Sequence, residues 1–151
     1  MKKKIMVADD DAAIVDVLQI MLEDAGFVVD TYAQGQPVKN MQEPFPDLVL
    51  LDILLSGMDG RVICRYLKDQ PATQHVPIIL LSAHTDAEQT AIDAGADAFL
   101  AKPFDIDDLL DLIKKIHALK CLWMRRDSCA LPVSTIVSPD GLMHSGPIAC
   151  A

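Results

Sequence analysis

Short apolar runs alternate along this chain with longer segments of helical periodicity, and that alternation restricts the possible folds more than any other feature. Five runs of strand length are predicted at Lys4–Ala8, Phe27–Tyr32, Leu48–Leu51, Val76–Leu81 and Ala98–Ala101. Segments of helical spacing follow them, over residues 12–25, 34–42, 61–68, 87–94 and 105–119. Strands that alternate with helices pair in parallel through right-handed crossovers. The pattern therefore predicts an α/β fold, a doubly wound sheet of five parallel strands in a single domain.

The first and last predicted helices each carry an apolar face. In the first helix this face is formed by Ile14, Val17, Leu18, Met21, Leu22 and Ala25, and Gly26 is predicted to end the helix in the left-handed conformation. In the last helix the residues predicted to cover the sheet are Ile106, Leu109, Leu110, Ile113 and Ile116. A second stripe at helical spacing contains Leu112, Leu119 and Trp123.

Acidic residues stand where two of the predicted strands end. Asp9 and Asp10 follow the first strand, and Asp52 follows the third. Sites in doubly wound sheets lie beyond the carboxyl ends of the strands, where the strand order reverses. We therefore expect the three carboxylates to converge there, and carboxylate oxygens suit a hard cation such as Mg²⁺. Because a helix begins near Ala12, negative charge at its N-terminus is an alternative for Asp9 and Asp10, and the preferred explanation for Asp11.

The composition limits the classes of partner and compartment. The 151 residues suffice for one domain with a core, and the whole net charge of −9 falls within residues 1–120. This charge disfavours direct binding to nucleic acid. The apolar run after the N-terminal lysines is too short for a secretion signal, and no run has the length of a membrane span. Four dispersed cysteines predict neither a disulfide framework nor a zinc site, so we expect a cytoplasmic protein.

Five segments together resemble the successive signatures of response-regulator receiver domains from two-component signalling. They are Ile5–Asp11, Asp47–Ile53, Gly57–Gly60, Pro77–Ala83 and Ala94–Phe104, in the order and spacing of that family, and the resemblance covers residues 4 to about 119. It implies a flavodoxin-like strand order 2-1-3-4-5, as in chemotaxis receivers, and a switch controlled by phosphorylation. Residues 1–120 are accordingly predicted to form the receiver domain and residues 121–151 a C-terminal tail without an assigned role.

The resemblance implies a role for each acidic residue of the predicted edge. Asp52 is the phosphoacceptor, which takes a phosphoryl group from a sensor histidine kinase or a phosphotransfer protein. Mg²⁺ is held by Asp9, Asp10, Asp52 and the backbone carbonyl of Leu54. An ordinary strand-ending aspartate is the alternative for Asp52, but the apolar residues on both sides of it disfavour that reading, since a carboxylate with buried flanks needs compensation.

Three further residues receive roles from the same resemblance. Lys102 neutralises phosphoryl charge, and the Lys102–Pro103 peptide is expected to be cis. A surface lysine is the alternative, which is disfavoured because Pro103 and Phe104 look buried in the sequence. Ser82 donates its hydroxyl to a phosphoryl oxygen, and Phe99 swings inward when Ser82 moves. Their alternatives are a helix cap for Ser82 and core filling for Phe99.

Two residues are expected to flank the path of a hydrolytic water. Leu54 offers no hydrogen bond and is predicted to crowd water out, which would make the phosphoryl group long-lived. His84 either orients water when neutral or attracts a phosphoryl oxygen when charged. Leu55-Ser56-Gly57 stands where the family often has proline, and we expect this difference to affect the stiffness of the loop more than the chemistry.

Two other functions remain open at the level of sequence. One is a degenerate receiver that only binds a partner, although every expected site residue is present. The other is an aspartate-nucleophile Mg²⁺ phosphatase on a similar sheet. Such phosphatases typically carry a second acid two residues past the nucleophile, where this chain has Leu54. We therefore expect a phosphoacceptor and not an enzyme. Since receivers commonly pair through the last helix, we expect self-association as a homodimer, or docking of a partner, at its second stripe, strengthened by phosphorylation. The alternative is that Trp123 folds back onto the domain.

Overall fold

The computed structural model describes residues 2–84 and 86–124, the last five only as helix backbone. Within these ranges the strands are β1 (Lys4–Ala8), β2 (Val28–Tyr32), β3 (Leu48–Asp52), β4 (Leu54–Leu55), β5 (Met58–Asp59), β6 (Ile78–Ser82) and β7 (Ala98–Ala101). The helices are α1 (Ala12–Asp24), α2 (Gln36–Lys39), α3 (Gly60–Asp69), α4 (Ala87–Asp93) and α5 (Ile106–Met124). Most of the predicted tail, and the side chain of Trp123, lie outside the described residues.

Five parallel strands form the main sheet, in the order β2-β1-β3-β6-β7. Numbered within this sheet alone, the order is 2-1-3-4-5, so the predicted flavodoxin-like topology is confirmed. The strand order reverses between β1 and β3, and the carboxyl ends of these two strands border the crevice where such folds bind ligands. β4 and β5 form a separate short antiparallel hairpin directly after β3.

Helices cover both faces of the sheet, which explains why the central strands are apolar throughout. Leu18 of α1 and Ile113 of α5 belong to the core on one face, and Ile63 of α3 and Ala91 of α4 to the core on the other. All residues of β3 and β6 are buried. A strand covered on both faces needs no polar side, so it reads as a continuous apolar run instead of an alternating one.

Helix α1 is bounded as predicted but buries a narrower face. Asp11 caps it by accepting hydrogen bonds from the N–H groups of Ala13 and Ile14, and Gly26 follows it with a φ of +97°. Two residues of the predicted apolar face, Val17 and Met21, are exposed, with exposed fractions of 59% and 38%. Ala25, which belongs to the same predicted face, is also exposed. The sheet covers only the stripe that contains the buried leucines of α1.

Other boundaries and faces also differ from the prediction. The segment expected over residues 34–42 contains only the single turn of α2, which follows Gly35 and carries Pro37 at its start. The fourth predicted strand begins at Ile78 because Pro77 has no N–H to pair. Leu112 was assigned to a second stripe of the last helix, but it packs in the core. Among the described residues, none of the helices is long and apolar enough to cross a membrane.

Candidate functional site

Three carboxylates meet at the carboxyl ends of β1 and β3, as the strand order requires. Asp9 and Asp52 are buried, with exposed fractions of 1% and 7%, whereas Asp10 is exposed. One oxygen atom from each of the three lies within 4.8 Å of the others. Asp9 is held from its own loop, because its Oδ1 accepts the N–H of Asp11 at 2.9 Å. The predicted convergence of these three side chains is confirmed.

Lys102, the residue directly after β7, supplies a cation to this cluster. Its Nζ lies 2.6 Å from Oδ2 of Asp9 and 3.3 Å from Oδ2 of Asp52. The backbone N–H of Lys102 donates to the carbonyl of Ser82 at 2.7 Å, which fixes the chain where β7 ends. The Lys102–Pro103 peptide is cis, as expected. Pro103 itself is exposed, so its predicted burial was wrong, and Lys102 is held by the carboxylates instead.

The electrostatics of the site reflect an excess of negative charge. Burial and the charge of Asp9 raise the pKa of Asp52 from an ordinary 3.8 to about 6, against the opposing effects of Lys102 and of the N–H of Leu54. Burial alone would lower the pKa of the Lys102 ammonium, but its hydrogen bond to Asp9 and the charge of Asp52 outweigh this effect and raise it. The cluster therefore holds three carboxyl groups and one ammonium group, which contacts two of them.

The donor set of this cluster fits a small divalent cation. Each of the three side chains offers a carboxylate oxygen, which is the ligand type that Mg²⁺ takes in proteins, usually together with several waters. The raised pKa of Asp52 indicates that Lys102 does not compensate the buried charge in full. Asp9, Asp10 and Asp52 could hold such an ion, and the exposure of Asp10 leaves one side of the cluster accessible from solvent.

Comparison with known proteins identifies the family. The model of the response regulator receiver domain matches residues 5–114. The chain belongs to this family. It is 37% identical over 117 residues to the phosphate regulon transcriptional regulatory protein PhoB of Rhizobium meliloti, covering 76% of this chain and 52% of PhoB. It is 38% identical to the DNA-binding response regulator MtrA of Mycobacterium tuberculosis, covering 76% of this chain and 50% of MtrA. The chain thus spans about half the length of these relatives.

Solved structures agree with this assignment to the receiver domains. A putative response regulator from Chloroflexus aurantiacus superposes with a TM-score of 0.74 at 30% identity, over 78% of this chain and 99% of that one. The chemotaxis response regulator CheY4 of Vibrio cholerae gives 0.71 at 26% identity, over 77% and 99% of the two chains. The fold and the family expected from the sequence are therefore both confirmed.

The remaining predicted residues surround the cluster of this receiver domain. Ser82 ends β6 and is buried, and its Oγ accepts the N–H of exposed His84 at 3.0 Å. The N-cap of α4 is Asp86, so Ser82 is not the helix cap that was its alternative. Phe99 on β7 is 8% exposed and belongs to the core beside α4. The side chain of Leu54 projects into solvent, with 59% of the residue exposed.

Two residues that support the site were missed as such from the sequence. A Cβ atom at Gly60 would lie 2.2 Å from the backbone carbonyl oxygen of Asp52, so only glycine fits where α3 begins. Ser56, in the turn between β4 and β5, donates its hydroxyl to Oδ2 of Asp10 at 3.3 Å. The signature Gly57–Gly60 includes Gly60 and borders Ser56, but it does not reveal either contact, because each depends on how the chain folds back after β3.

Proposed function

We propose that this receiver domain accepts a phosphoryl group on Asp52 and works as a phosphorylation-dependent switch. The observation that carries the proposal is the buried Asp52 carboxylate, which lies against Lys102 and within 4.8 Å of two further carboxylates at the edge of the sheet. A carboxylate oxygen of Asp52 attacks the phosphorus of a phosphohistidine, and the phosphorus–nitrogen bond breaks as the acyl phosphate forms. The histidine leaves as neutral imidazole, because its other ring nitrogen carries a proton when the phosphorus–nitrogen bond breaks.

The residues around Asp52 support this reaction by charge and position. Asp9, Asp10, Asp52 and the backbone carbonyl of Leu54 would hold Mg²⁺, which when bound supplies positive charge to the phosphoryl oxygens. Lys102 already contacts Asp9 and Asp52 and is placed to neutralise a further oxygen. Such transfers depend almost entirely on positioning and electrostatic stabilisation, so the rigid ends of the strands suit the task.

Ser82 and Phe99 are proposed to transmit the effect of phosphorylation from Asp52 to the rest of the domain. Because the Ser82 oxygen accepts a hydrogen bond from the backbone of His84, the hydroxyl proton is not used in that contact and can turn toward a phosphoryl oxygen. The backbone bond between Ser82 and Lys102 joins β6 to the end of β7, the strand that carries Phe99. A shift at Ser82 would therefore reach the core position of Phe99.

We assign no reaction on other substrates to the domain. A Mg²⁺ phosphatase would need an acid two residues past the nucleophile, where this chain presents exposed Leu54. A receiver that only binds would have no use for a buried carboxylate beside Lys102, and such a group is costly to keep. Self-phosphorylation and self-dephosphorylation are the only chemistry proposed. The receiver domain is assigned to residues 1–120 and the tail to residues 121–151.

A phosphorylation assay tests this function directly. We expect the full chain, incubated with acetyl phosphate and Mg²⁺, to gain one acid-stable, hydroxylamine-labile phosphoryl group. Asp52→Asn should not label and should keep its circular dichroism spectrum, since the change removes the nucleophile with little change in volume. EDTA, or alanine at both Asp9 and Asp10, should suppress labelling. Asp69→Asn, at an exposed position at the end of α3, is the matched control and should label normally.

Two results would contradict the proposal. Normal labelling of Asp52→Asn would put the phosphoryl group on another residue. Equal labelling in EDTA and in Mg²⁺ would remove the metal from the reaction, although Asp52 would stay the acceptor.

The proposed partners follow from the same chemistry. A sensor histidine kinase or a phosphotransfer protein would supply the phosphohistidine, and since kinases of this kind use ATP, the exchange belongs in the cytoplasm. The acidic composition supports no direct contact with nucleic acid or with a membrane.

A homodimer through α5 is proposed for the phosphorylated form. Leu119 is only partly buried on this helix, whereas Leu112 is committed to the core and cannot contribute. We expect the phosphorylated protein to sediment as a dimer and Leu119→Glu to sediment as a monomer, because a buried charge would oppose association. A phosphorylated wild type that stays monomeric at high concentration would remove this interface.

A further inference from the structure

The turn between β4 and β5 brings a hydroxyl group to the rim of the carboxylate cluster. Leu55 pairs with Met58 in the hairpin, so Ser56 and Gly57 are the two central residues of the turn. Gly57 has a φ of +77°, and within the described residues no other residue type has a positive φ. A negative φ at Ser56 and a positive φ at Gly57 are typical of a type II turn. The first central position of such a turn accepts most residues, proline included.

The three carboxylates differ in how they are held. Asp9 accepts hydrogen bonds from Lys102 and from the N–H of Asp11. Asp52 accepts the N–H of Leu54 at 3.3 Å and lies at the same distance from the Lys102 ammonium. Asp10 is exposed, and the hydroxyl of Ser56 contacts its Oδ2 at 3.3 Å. The two buried acids are therefore fixed by cationic or backbone partners, and the exposed acid by a side chain of the hairpin.

We propose that Ser56 is a positioning residue for Asp10, which it holds in the orientation that binds Mg²⁺. The inference rests on the proposed function, since it assumes that the cluster takes this cation. A hydrogen bond to Oδ2 leaves Oδ1 of Asp10 free for the ion or for one of its waters. An exposed aspartate without such a partner samples several rotamers, and the cation would have to select one of them.

The hydroxyl and the stiffness of the turn are two separate effects, and proline at position 56 distinguishes them. Proline fits the first central position of a type II turn, since its φ is fixed near the value that the turn requires. It would stiffen the hairpin but remove the hydroxyl. If the site depends on stiffness, Ser56→Pro improves it. If the site depends on the hydrogen bond, Ser56→Pro weakens it as much as Ser56→Ala does.

The experiment measures Mg²⁺ affinity by calorimetric titration of the full chain with MgCl₂. We expect Ser56→Ala and Ser56→Pro each to raise the Kd by about three- to fivefold, less than for a buried partner of a metal ligand because water competes at an exposed site. Ser56→Thr keeps the hydroxyl and should bind as wild type does. The melting temperatures in EDTA should be alike for wild type and Ser56→Ala, since no cation is then bound. In an Asp10→Ala background, Ser56→Ala should cause no further loss.

Each outcome bears on one of the two proposals. Wild-type affinity in Ser56→Ala, stronger binding by Ser56→Pro, or weak binding by Ser56→Thr would overturn the role of the hydroxyl while leaving the Mg²⁺ site intact. An equal loss in the Asp10→Ala background would overturn action through Asp10. A wild-type chain that binds no Mg²⁺ would instead overturn the proposed function, and this inference with it.

Discussion

Two lysine–carboxylate clusters lie at opposite ends of the sheet, and they differ in charge balance. At the amino ends of β6 and β7, Lys68 contacts Asp97 at 2.6 Å and also donates to the carbonyl of Val76, while Asp97 accepts the N–H of Ile78. At the carboxyl ends, Lys102 contacts Asp9 at the same distance of 2.6 Å.

The two clusters share a lysine–aspartate contact, but they differ in the number of carboxylates around the lysine. The Lys68 cluster pairs one ammonium with one carboxylate and fills the remaining hydrogen bonds with backbone groups. In the Lys102 cluster one ammonium contacts two buried carboxylates, and a third, exposed carboxylate lies beside them. A cluster with equal numbers of positive and negative groups needs no further ion. A cluster with excess negative charge is stabilised by an added cation. We therefore assign a structural role to the Lys68 cluster, whereas the charge excess of the Lys102 cluster supports the binding proposed there.

The largest expected effect comes from removing each lysine in turn. Lys102→Met should lower the rate of labelling by acetyl phosphate about a hundredfold, because a phosphoryl oxygen loses its cation. In EDTA it should also lower the free energy of unfolding by about 3 kcal/mol, since the buried carboxylates of Asp9 and Asp52 lose their cationic partner.

Lys68→Met is the matched control for that experiment. It should cost about 1–3 kcal/mol of stability, because the hydrogen bonds to Asp97 and to backbone carbonyls are lost, and leave labelling unchanged. Urea unfolding and phosphoryl incorporation measure the two quantities. Similar labelling rates in both variants would mean that the Lys102 cluster is as purely structural as the Lys68 cluster.

A smaller effect is expected in the pH dependence of stability without metal. Since the folded pKa of Asp52 is about 6 and its ordinary value is 3.8, the folded state holds the Asp52 proton more tightly than the unfolded state. Stability from this group is therefore present at low pH and lost as the pH rises through about 6. Between pH 4.5 and 7.5 the loss should be on the order of 2 kcal/mol.

Asp52→Asn isolates this effect from the titration of other groups. In EDTA, Asp52→Asn should be more stable than wild type, and this difference in the free energy of unfolding should be larger at pH 7.5 than at pH 4.5. Mg²⁺ should narrow the difference, because it stabilises wild type. Urea denaturation at both pH values provides the comparison. If the difference in stability between wild type and Asp52→Asn does not change with pH, the Lys102 cluster has no excess of negative charge.

The smallest expected effect concerns the lifetime of the phosphoryl group. Leu54→Asn should speed the decay of the phosphorylated protein about two- to fivefold, because a polar side chain can place a water that leucine excludes. Val62→Asn, at 57% exposure on α3, changes a similar side chain away from the cluster and should decay as wild type does. Decay is followed as phosphate release in Mg²⁺ at neutral pH. An unchanged or slower rate in Leu54→Asn would make the steric account wrong.

The sequence predicts the inner part of the site well because strand ends determine it. Asp9 and Asp52 end apolar runs, and in a doubly wound sheet those ends lie side by side, so their meeting follows from topology alone. Lys102 could be placed only through the resemblance to receiver domains. Its contact with Asp9 spans 93 positions of the chain, and no local pattern encodes that distance.

The outer part of the site could not be predicted, and the reason is geometric. Ser56 reaches Asp10 through the register of a two-residue hairpin, which the sequence signals only weakly through Gly57. Similarly, the apolar spacing in α1 did not reveal how wide a stripe the sheet covers, and Val17 on the predicted apolar face is exposed. The helical period shows which side of a helix is apolar. How much of that side is buried depends on the neighbouring elements.

The position of β3 has a consequence for how this receiver domain opens. β3 lies at the centre of the sheet with every residue buried, and β1 and β6 pair along its two sides. Its amide hydrogens are expected to exchange with solvent only when the whole domain unfolds. Asp52, the proposed acceptor, is thus anchored to the strand that we expect to be the most protected, while His84 and Pro103 at the rim of the site are exposed. We therefore expect signalling cycles to rearrange the rim of the site while β3 keeps its protection from hydrogen exchange.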